Sequence, residues 1–325
     1  MMQMYRIPNT DLDVSRLAYG TWHLGGTWDA TPPSPDLYDR ADRLVQVAVE
    51  QGINMIDLAD IYTRTKSDTL IGEVLGKNPG LRDKLILQEK CGIRLSDEPN
   101  KGDPGRYDFS YDHIIATVES SLKRLQTDHV EILLLHRPDP LVEPEEIARA
   151  LDDLHRSGKV RYFGVSNHSI WQIELLKRSM KQPLVINQLE LNLLHHYLIS
   201  DGIVVNQTGY LYTQSEGLLD YCRLNDIMIQ AWSPVAGGKL FNPPADASAN
   251  VQAVARLIAE LAQEHQTTPE GIAFAWLLRH PAHIQPIIGT MNAERLVDSC
   301  RADTVDLSRV DWYRLLAAVR GNGVP

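Results

Sequence analysis

Residues 131–136 read EILLLH: four large apolar side chains in a row, too few for a buried helix, closed by a histidine. A short apolar run of this kind marks a strand with no water-facing side. The same sign recurs upstream, where LILQEK (85–90) ends on Lys90 and NMID (54–57) ends on Asp57. Tyr62 follows Asp57 five residues later in IDLADIY. Three consecutive strands thus stop on a polar, ionisable residue.

Outward from these runs, strands are expected at Arg16–Gly20, Asn54–Asp57, Leu85–Gln88, Glu131–Leu135, Tyr162–Gly164, Leu184–Asn187, Met228–Ala231 and Ile284–Ile287. Between them the apolar spacing turns helical, at Tyr38–Gln51, Asp68–Leu75, Tyr111–Arg124, Pro144–His155, Ile170–Ser179, Glu216–Leu224 and twice across Ala253–Arg279. Asn292–Cys300 and Val310–Val319 make extra closing helices, and Met4–Val14 a hairpin turned by PNTD that plugs the barrel floor. Eight strands each followed by a helix predict an α/β protein, a (β/α)8 TIM barrel spanning residues 1–325 as a single domain. An open doubly wound sheet is disfavoured, because Gly25-Gly26 has no third glycine to complete GxGxxG and opens no helix. The long connections Leu24–Pro35, Cys91–Ser110, His195–Ser215 and Gly237–Ser248 all follow strands. In a barrel they gather on the C-terminal face, where binding sites lie.

Composition bounds the function. The 325 residues carry a net charge of −10 with acids and bases interspersed, a surface that repels phosphate backbones, so nucleic acid is not an expected partner. The first twenty residues lack the apolar core of a secretory signal, and no run of about 18 apolar residues offers a membrane span. Cys91, Cys222 and Cys300 are odd in number and widely spaced, as expected of reduced thiols in a cytoplasmic protein. No metal is expected, since His23, His195, His196, His280 and His283 lack carboxylate or cysteine partners at ligand spacing.

Asp57, Tyr62, Lys90 and His136 each have an ordinary reading as cap, loop aromatic, surface base or core histidine. On one rim they suit carbonyl reduction, which needs hydride at carbon and a proton for the developing alkoxide. An ammonium about 4 Å from a phenol favours the phenolate by about 4 kcal/mol at an effective dielectric of about 20, or about three pKa units. On this expectation, before desolvation is counted, Lys90 sharpens Tyr62 as an acid, Asp57 keeps Lys90 charged and in place while offsetting part of that effect, and His136 orients the substrate oxygen or shares the proton relay.

Over nearly its whole length the sequence resembles the aldo-keto reductase family. The resemblance is carried in order by GTW (20–22), IDLADIY (56–62), EKCG (89–92), LLLHRPD (133–139), GKVRYFGVSN (158–167), INQLELN (186–192), AWSP (231–234) and IIGTMNAERL (287–296). It implies a catalytic tetrad of Asp57, Tyr62, Lys90 and His136 with tyrosine as general acid, a small carbonyl substrate, and NADPH in preference to NADH. It also implies that Ser166, Asn167 and Gln188 hold the nicotinamide carboxamide, whose donors and acceptors such groups can satisfy. Trp232 stands where many members stack a tyrosine on the nicotinamide. Gly20, Thr21 and Trp22 border the pocket. Ser233, Pro234, Gly237, Gly238, Lys239 and Leu240 resemble the loop over the pyrophosphate. Gly289, Thr290, Asn292 and Arg295 match the adenosine-phosphate segment, with Arg295 toward a 2′-phosphate and Gly289 where many members have lysine. Two other readings are carried: an NADPH-binding regulatory subunit like the β-subunits of potassium channels, whose extra N-terminal segment is not in this sequence, and an aldolase using Lys90 as Schiff base. The physiological substrate, partner proteins and oligomeric state are not legible in the sequence.

Overall fold

The computed structural model describes residues 2–205, 207, 215–321 and 323. The chain opens with an antiparallel hairpin of β1 (Met4–Arg6) and β2 (Asp13–Ser15). It then alternates through β3 (Ala18–Gly20), α1 (Pro35–Glu50), β4 (Met55–Asp57), α2 (Lys66–Lys77) and β5 (Ile86–Cys91). A second small hairpin, β6 (Ile93–Arg94) and β7 (Arg106–Tyr107), precedes α3 (Tyr111–Leu125), β8 (Val130–Leu135), α4 (Pro144–Arg156) and β9 (Val160–Ser166). The second half runs through α5 (Ile170–Lys177), β10 (Leu184–Glu190), α6 (Tyr197–Val204), α7 (Leu218–Leu224), β11 (Met228–Trp232), α8 (Ala249–Glu264) and α9 (Pro269–Leu278). It closes with β12 (Gln285–Ile288), α10 (Ala293–Cys300) and α11 (Arg309–Arg320).

Strands β3, β4, β5, β8, β9, β10, β11 and β12 form a closed parallel barrel, sealed where Ile287 and Ile288 pair with Ala18 and Tyr19. The expected (β/α)8 barrel is the observed fold. Helix patterning explains the outer layer. In α4, Pro144 starts the helix, Glu145 and Glu146 face its positive end, and Ile147, Ala150, Leu151 and Leu154 form the buried stripe. The hairpin plugs the barrel floor as expected: Tyr5, Ile7, Leu12 and Val14 pack with Met55, Ile132, Leu134, Val185 and Met228.

Above that plug the barrel interior is polar. Gln88, Gln188, Gln230 and Gln285, from β5, β10, β11 and β12, are all buried, and Gln188↔Gln230 and Gln230↔Gln285 are register partners. Gln88 and Gln188 each donate from Nε2 to the Gln230 oxygen, at 2.8 and 3.0 Å, and Gln230 donates to Gln285 at 2.8 Å. This belt of amides replaces the branched apolar layer usual in such barrels.

Element bounds differ from expectation in physically intelligible ways. Helix α1 starts at Pro35 after Ser34, because proline presets the first helical φ, rather than at Tyr38. Strand β5 runs on to Cys91, which places Lys90 inside the strand. Two expected loops contain structure: β6 and β7 within Cys91–Ser110, and α6 within His195–Ser215. Residues 206 and 208–214 of the latter lie outside the described residues. Among the described residues no helix is long and apolar enough to cross a membrane.

Candidate active site

A cavity of about 680 Å³ opens at the C-terminal rim of the barrel, lined in part by Gly20, Trp22, Asp57, Tyr62 and His136. Asp57 ends β4, and the following chain folds back sharply through Thr63, Arg64 and Thr65, whose φ angles of 48, 55 and 69° are all left-handed. Two of these are β-branched, so the turn is strained and needs outside support. That support is visible: Thr63 is fully buried and bonds Ser67 at 3.1 Å, while Ser67 donates to the Thr21 carbonyl at 2.8 Å. The loop after β3 makes room, since a Cβ on Gly25 would stand 2.1 Å from the Thr63 hydroxyl. The turn delivers Tyr62 over the rim.

Lys90 is fully buried behind Tyr62 and does not itself line the cavity. Its ammonium donates to Asp57 Oδ1 and the Leu58 carbonyl, both at 2.7 Å, and to the Tyr62 hydroxyl at 3.0 Å. Three donors meet three acceptors, which leaves no proton unpaired. Asp57 Oδ1 also accepts from Gln88 and Gln188, each at 2.7 Å, so the amide belt fixes the carboxylate that fixes the lysine. His136 faces Tyr62 with ring centroids 5.8 Å apart, and its buried Nδ1 has no partner.

The electrostatics correct one expectation. Burial pushes the Tyr62 phenol up, Lys90 pulls it down and Asp57 pushes it up again, leaving it raised to about 12 rather than lowered. Desolvation of a phenolate outweighs one ammonium whose own charge Asp57 largely cancels. Burial pulls Lys90 down, but Asp57 and Tyr62 more than offset it, and the amine is held charged at about 12. Such an amine offers no lone pair, which disfavours the Schiff-base reading. His136 is pushed well below the ordinary histidine range by burial, then by Lys90 and Arg137, and is therefore neutral at pH 7.

Next to the quartet, Ser166 donates to the Gln188 carbonyl at 2.9 Å, Asn167 to Ser166 Oγ at 2.8 Å, and Trp232 Nε1 to Asn167 Oδ1 at 3.1 Å. Asn167 and Ser233, with φ of 60 and 50°, turn these side chains out of the strand ends. Gln188 spends its amide nitrogen on Asp57 and Gln230, leaving its oxygen for the cavity it lines. Ser166, Asn167, Gln188, Trp232, Ser233, Pro234, Gly237, Gly238, Gly289, Thr290 and Arg295 all line this one cavity.

Four expected contacts do not reach it. Thr21 is buried and donates to the Asp57 carbonyl at 2.9 Å, holding β3 to β4. Leu240 is fully buried in the core, and Lys239 is exposed outside the lining. Asn292 caps α10, its Oδ1 accepting from the backbone of Glu294 and Arg295 at 2.8 and 3.1 Å, so it occupies the helix N-terminus that it was expected to offer to phosphate. Conversely, the sequence pointed to no site role for Arg137, Glu270, Phe274 and Ser299, and His23 was weighed only as a metal ligand, yet all five line the cavity. Arg137 directly follows His136 in the motif, and its guanidinium lies 5.6 Å from the Trp232 ring centre. The sequence held that clue, whereas nothing in it tied Glu270 to the site. Also unforeseen are the buried carboxyls of Asp60, Asp68 and Glu89, each with one unpartnered oxygen, beside Arg124, which pairs only with Asp68 among them.

The profile of the aldo/keto reductase family matches residues 16–319. The chain belongs to the aldo/keto reductase family. It is 36% identical over 323 residues to a 6-dehydroglucose reductase of Agrobacterium fabrum, covering 99% of this chain and 100% of that one. It is 34% identical to the oxidoreductase YdhF of Escherichia coli over the full length of both. Among solved structures, a glycerol dehydrogenase from Gluconobacter oxydans superimposes with a TM-score of 0.82 at 24% identity, over 99% of this chain and 97% of that one, a likeness of fold. This aldo/keto reductase is accordingly an oxidoreductase of carbonyl chemistry with a nicotinamide coenzyme and a small-molecule substrate.

Proposed function

We propose that this aldo/keto reductase reduces an aldehyde or ketone to an alcohol with NADPH, Tyr62 giving the proton. The observation that carries the reading is the direction of one hydrogen bond. Lys90 donates to the Tyr62 oxygen at 3.0 Å, and an ammonium cannot accept, so the phenolic proton must point elsewhere. His136 and Tyr62 both line the cavity, and neutral His136 completes the oxygen site. With Nδ1 buried and unpartnered, the tautomer that keeps a lone pair there and carries its N–H on Nε2 avoids an orphaned donor.

The residues present fit a nicotinamide dinucleotide. Ser166, Asn167 and Gln188 offer hydroxyl, amide and carbonyl groups for a carboxamide, and Trp232 offers a flat face. Gly237 and Gly238 adopt φ of 64 and 88°, and a Cβ on either would meet nothing within 4 Å, an open backbone cradle beside Ser233 and Pro234. Arg295, with Gly289 and Thr290, supplies the cation for a 2′-phosphate, which is the reason to favour NADPH. When bound, the coenzyme supplies the hydride.

A phenol near 12 is fully protonated at pH 7 and so always loaded. An alkoxide is about as basic as hydroxide, whose conjugate acid has a pKa of about 16, so proton transfer to it runs downhill by about 5 kcal/mol. Lys90 and, through it, Asp57 stabilise the phenolate left behind. Tyr62→Phe should lower kcat by at least about a hundredfold while NADPH binds within about twofold of native, the signature of a lost general acid. Turnover near native in that variant removes Tyr62 from the role. The substrate panel begins with an oxidised hexose aldehyde, because two relatives at 36% and 35% identity are 6-dehydroglucose reductases.

A further inference from the structure

The cavity is also walled by Glu270 and Phe274 of α9 and by Gly289, Thr290, Arg295 and Ser299 from β12 through α10. The two helices are locked together there. Thr268, which caps α9, donates to the Asp298 carbonyl of α10 at 2.9 Å, and Glu270 stands in the first turn after that cap. Among the described residues, neither the Glu270 carboxylate nor the Arg295 guanidinium has an ion pair or a side-chain hydrogen bond within the protein. An anion and a cation, each without a partner among the described residues, therefore line the same cavity.

We infer that Glu270 sets coenzyme selectivity, its carboxylate opposing the 2′-phosphate that Arg295 attracts, so that this enzyme accepts NADH alongside NADPH. The inference rests on the coenzyme reading above and refines it. A 2′-phosphate brings a charge of nearly −2, whereas the 2′-hydroxyl of NADH is neutral and can donate a hydrogen bond to a carboxylate. A lone arginine would favour the phosphate strongly, but an arginine opposed by a glutamate favours it weakly. Two further features withhold compensation. Two of the backbone N–H groups that open α10, those of Glu294 and Arg295, are already taken by Asn292. Gly289 provides no charge, although a Cβ there would meet nothing within 4 Å and the space could hold a side chain.

The test is equilibrium binding by quenching of tryptophan fluorescence, with NADPH and NADH as whole ligands and 2′,5′-ADP and 5′-AMP as calorimetric fragments. Native protein should bind the two coenzymes with affinities within about tenfold. Glu270→Gln and Glu270→Ala should each raise the NADPH-to-NADH affinity ratio at least threefold, and the 2′,5′-ADP-to-5′-AMP ratio with it. An unchanged ratio in both variants, or a native ratio beyond about a hundredfold, overturns the role of Glu270 and leaves the reductase reading standing. Native protein that binds neither coenzyme overturns both.

Discussion

Tyr62 carries a lesson about sign. The strand ends expected to meet beside it suggested an acid sharpened by Lys90, yet burial governs, and the phenol stays protonated to about 12. The sequence names the lysine and the aspartate that offsets it, but not the depth at which the phenolate would be stranded, nor the 2.7 Å at which Asp57 stands from the ammonium. A consequence for kinetics follows. Lys90 holds its charge to about 12, and His136, pushed well below its ordinary range, stays neutral. None of the three then changes protonation between pH 7 and 9, so kcat/KM for carbonyl reduction should be flat across that range. Alcohol oxidation, which needs the phenolate, should instead rise about tenfold per pH unit below the phenol pKa. A titration near pH 7 in the reductive profile would contradict this assignment of charges. The quartet itself was legible because polar residues closing apolar runs have few ordinary reasons to be there. Glu270 was not, since a glutamate in the first turn of a helix is what any helix favours.

At the scale of elements, strand positions were readable from apolar runs and turn residues, and their ends were not. The extension of β5 to Cys91 comes from pairing with β8, in which Lys90 and Cys91 meet Leu134 and Leu135, a tertiary cause absent from local sequence. The amide belt was hidden for a related reason. A glutamine inside a strand reads as a solvent-facing residue until the barrel closes around it. Gln230 is the knot of that belt, accepting from Gln88 and Gln188 and donating to Gln285. Gln230→Leu keeps the volume but leaves the buried Gln285 oxygen without a donor and removes one partner from each of the other two. The expected cost is about 2–4 kcal/mol, since an unsatisfied buried polar group costs about 1–3 kcal/mol. Urea denaturation checks it, and a midpoint equal to native would show that the belt does not contribute to stability.

The whole molecule is held closed from outside as well as within. Trp276 of α9 and Trp312 of α11 stack at 5.4 Å, and each indole N–H donates to the other residue's carbonyl, at 3.3 and 2.9 Å. Helix α11 thereby clasps the helix that carries Glu270. Trp312→Ala should cost about 3–5 kcal/mol, the range for removing a buried tryptophan, and lower Tm by roughly 4–7 °C in a chain of this length. Calorimetry decides the matter, and an unchanged Tm would mean that the clasp is ornamental. The sequence signalled closing helices but not this mutual pairing, which depends on two residues 36 positions apart.

The hairpin at the floor of the barrel has a further consequence. With Tyr5, Ile7, Leu12 and Val14 stoppering the lower end, the barrel is a well rather than a pipe. Whatever uses the cavity described above, including the proton that restores Tyr62, then comes and goes by the opening at the C-terminal rim. Traffic then becomes sequential: whatever sits deeper arrives first and departs last.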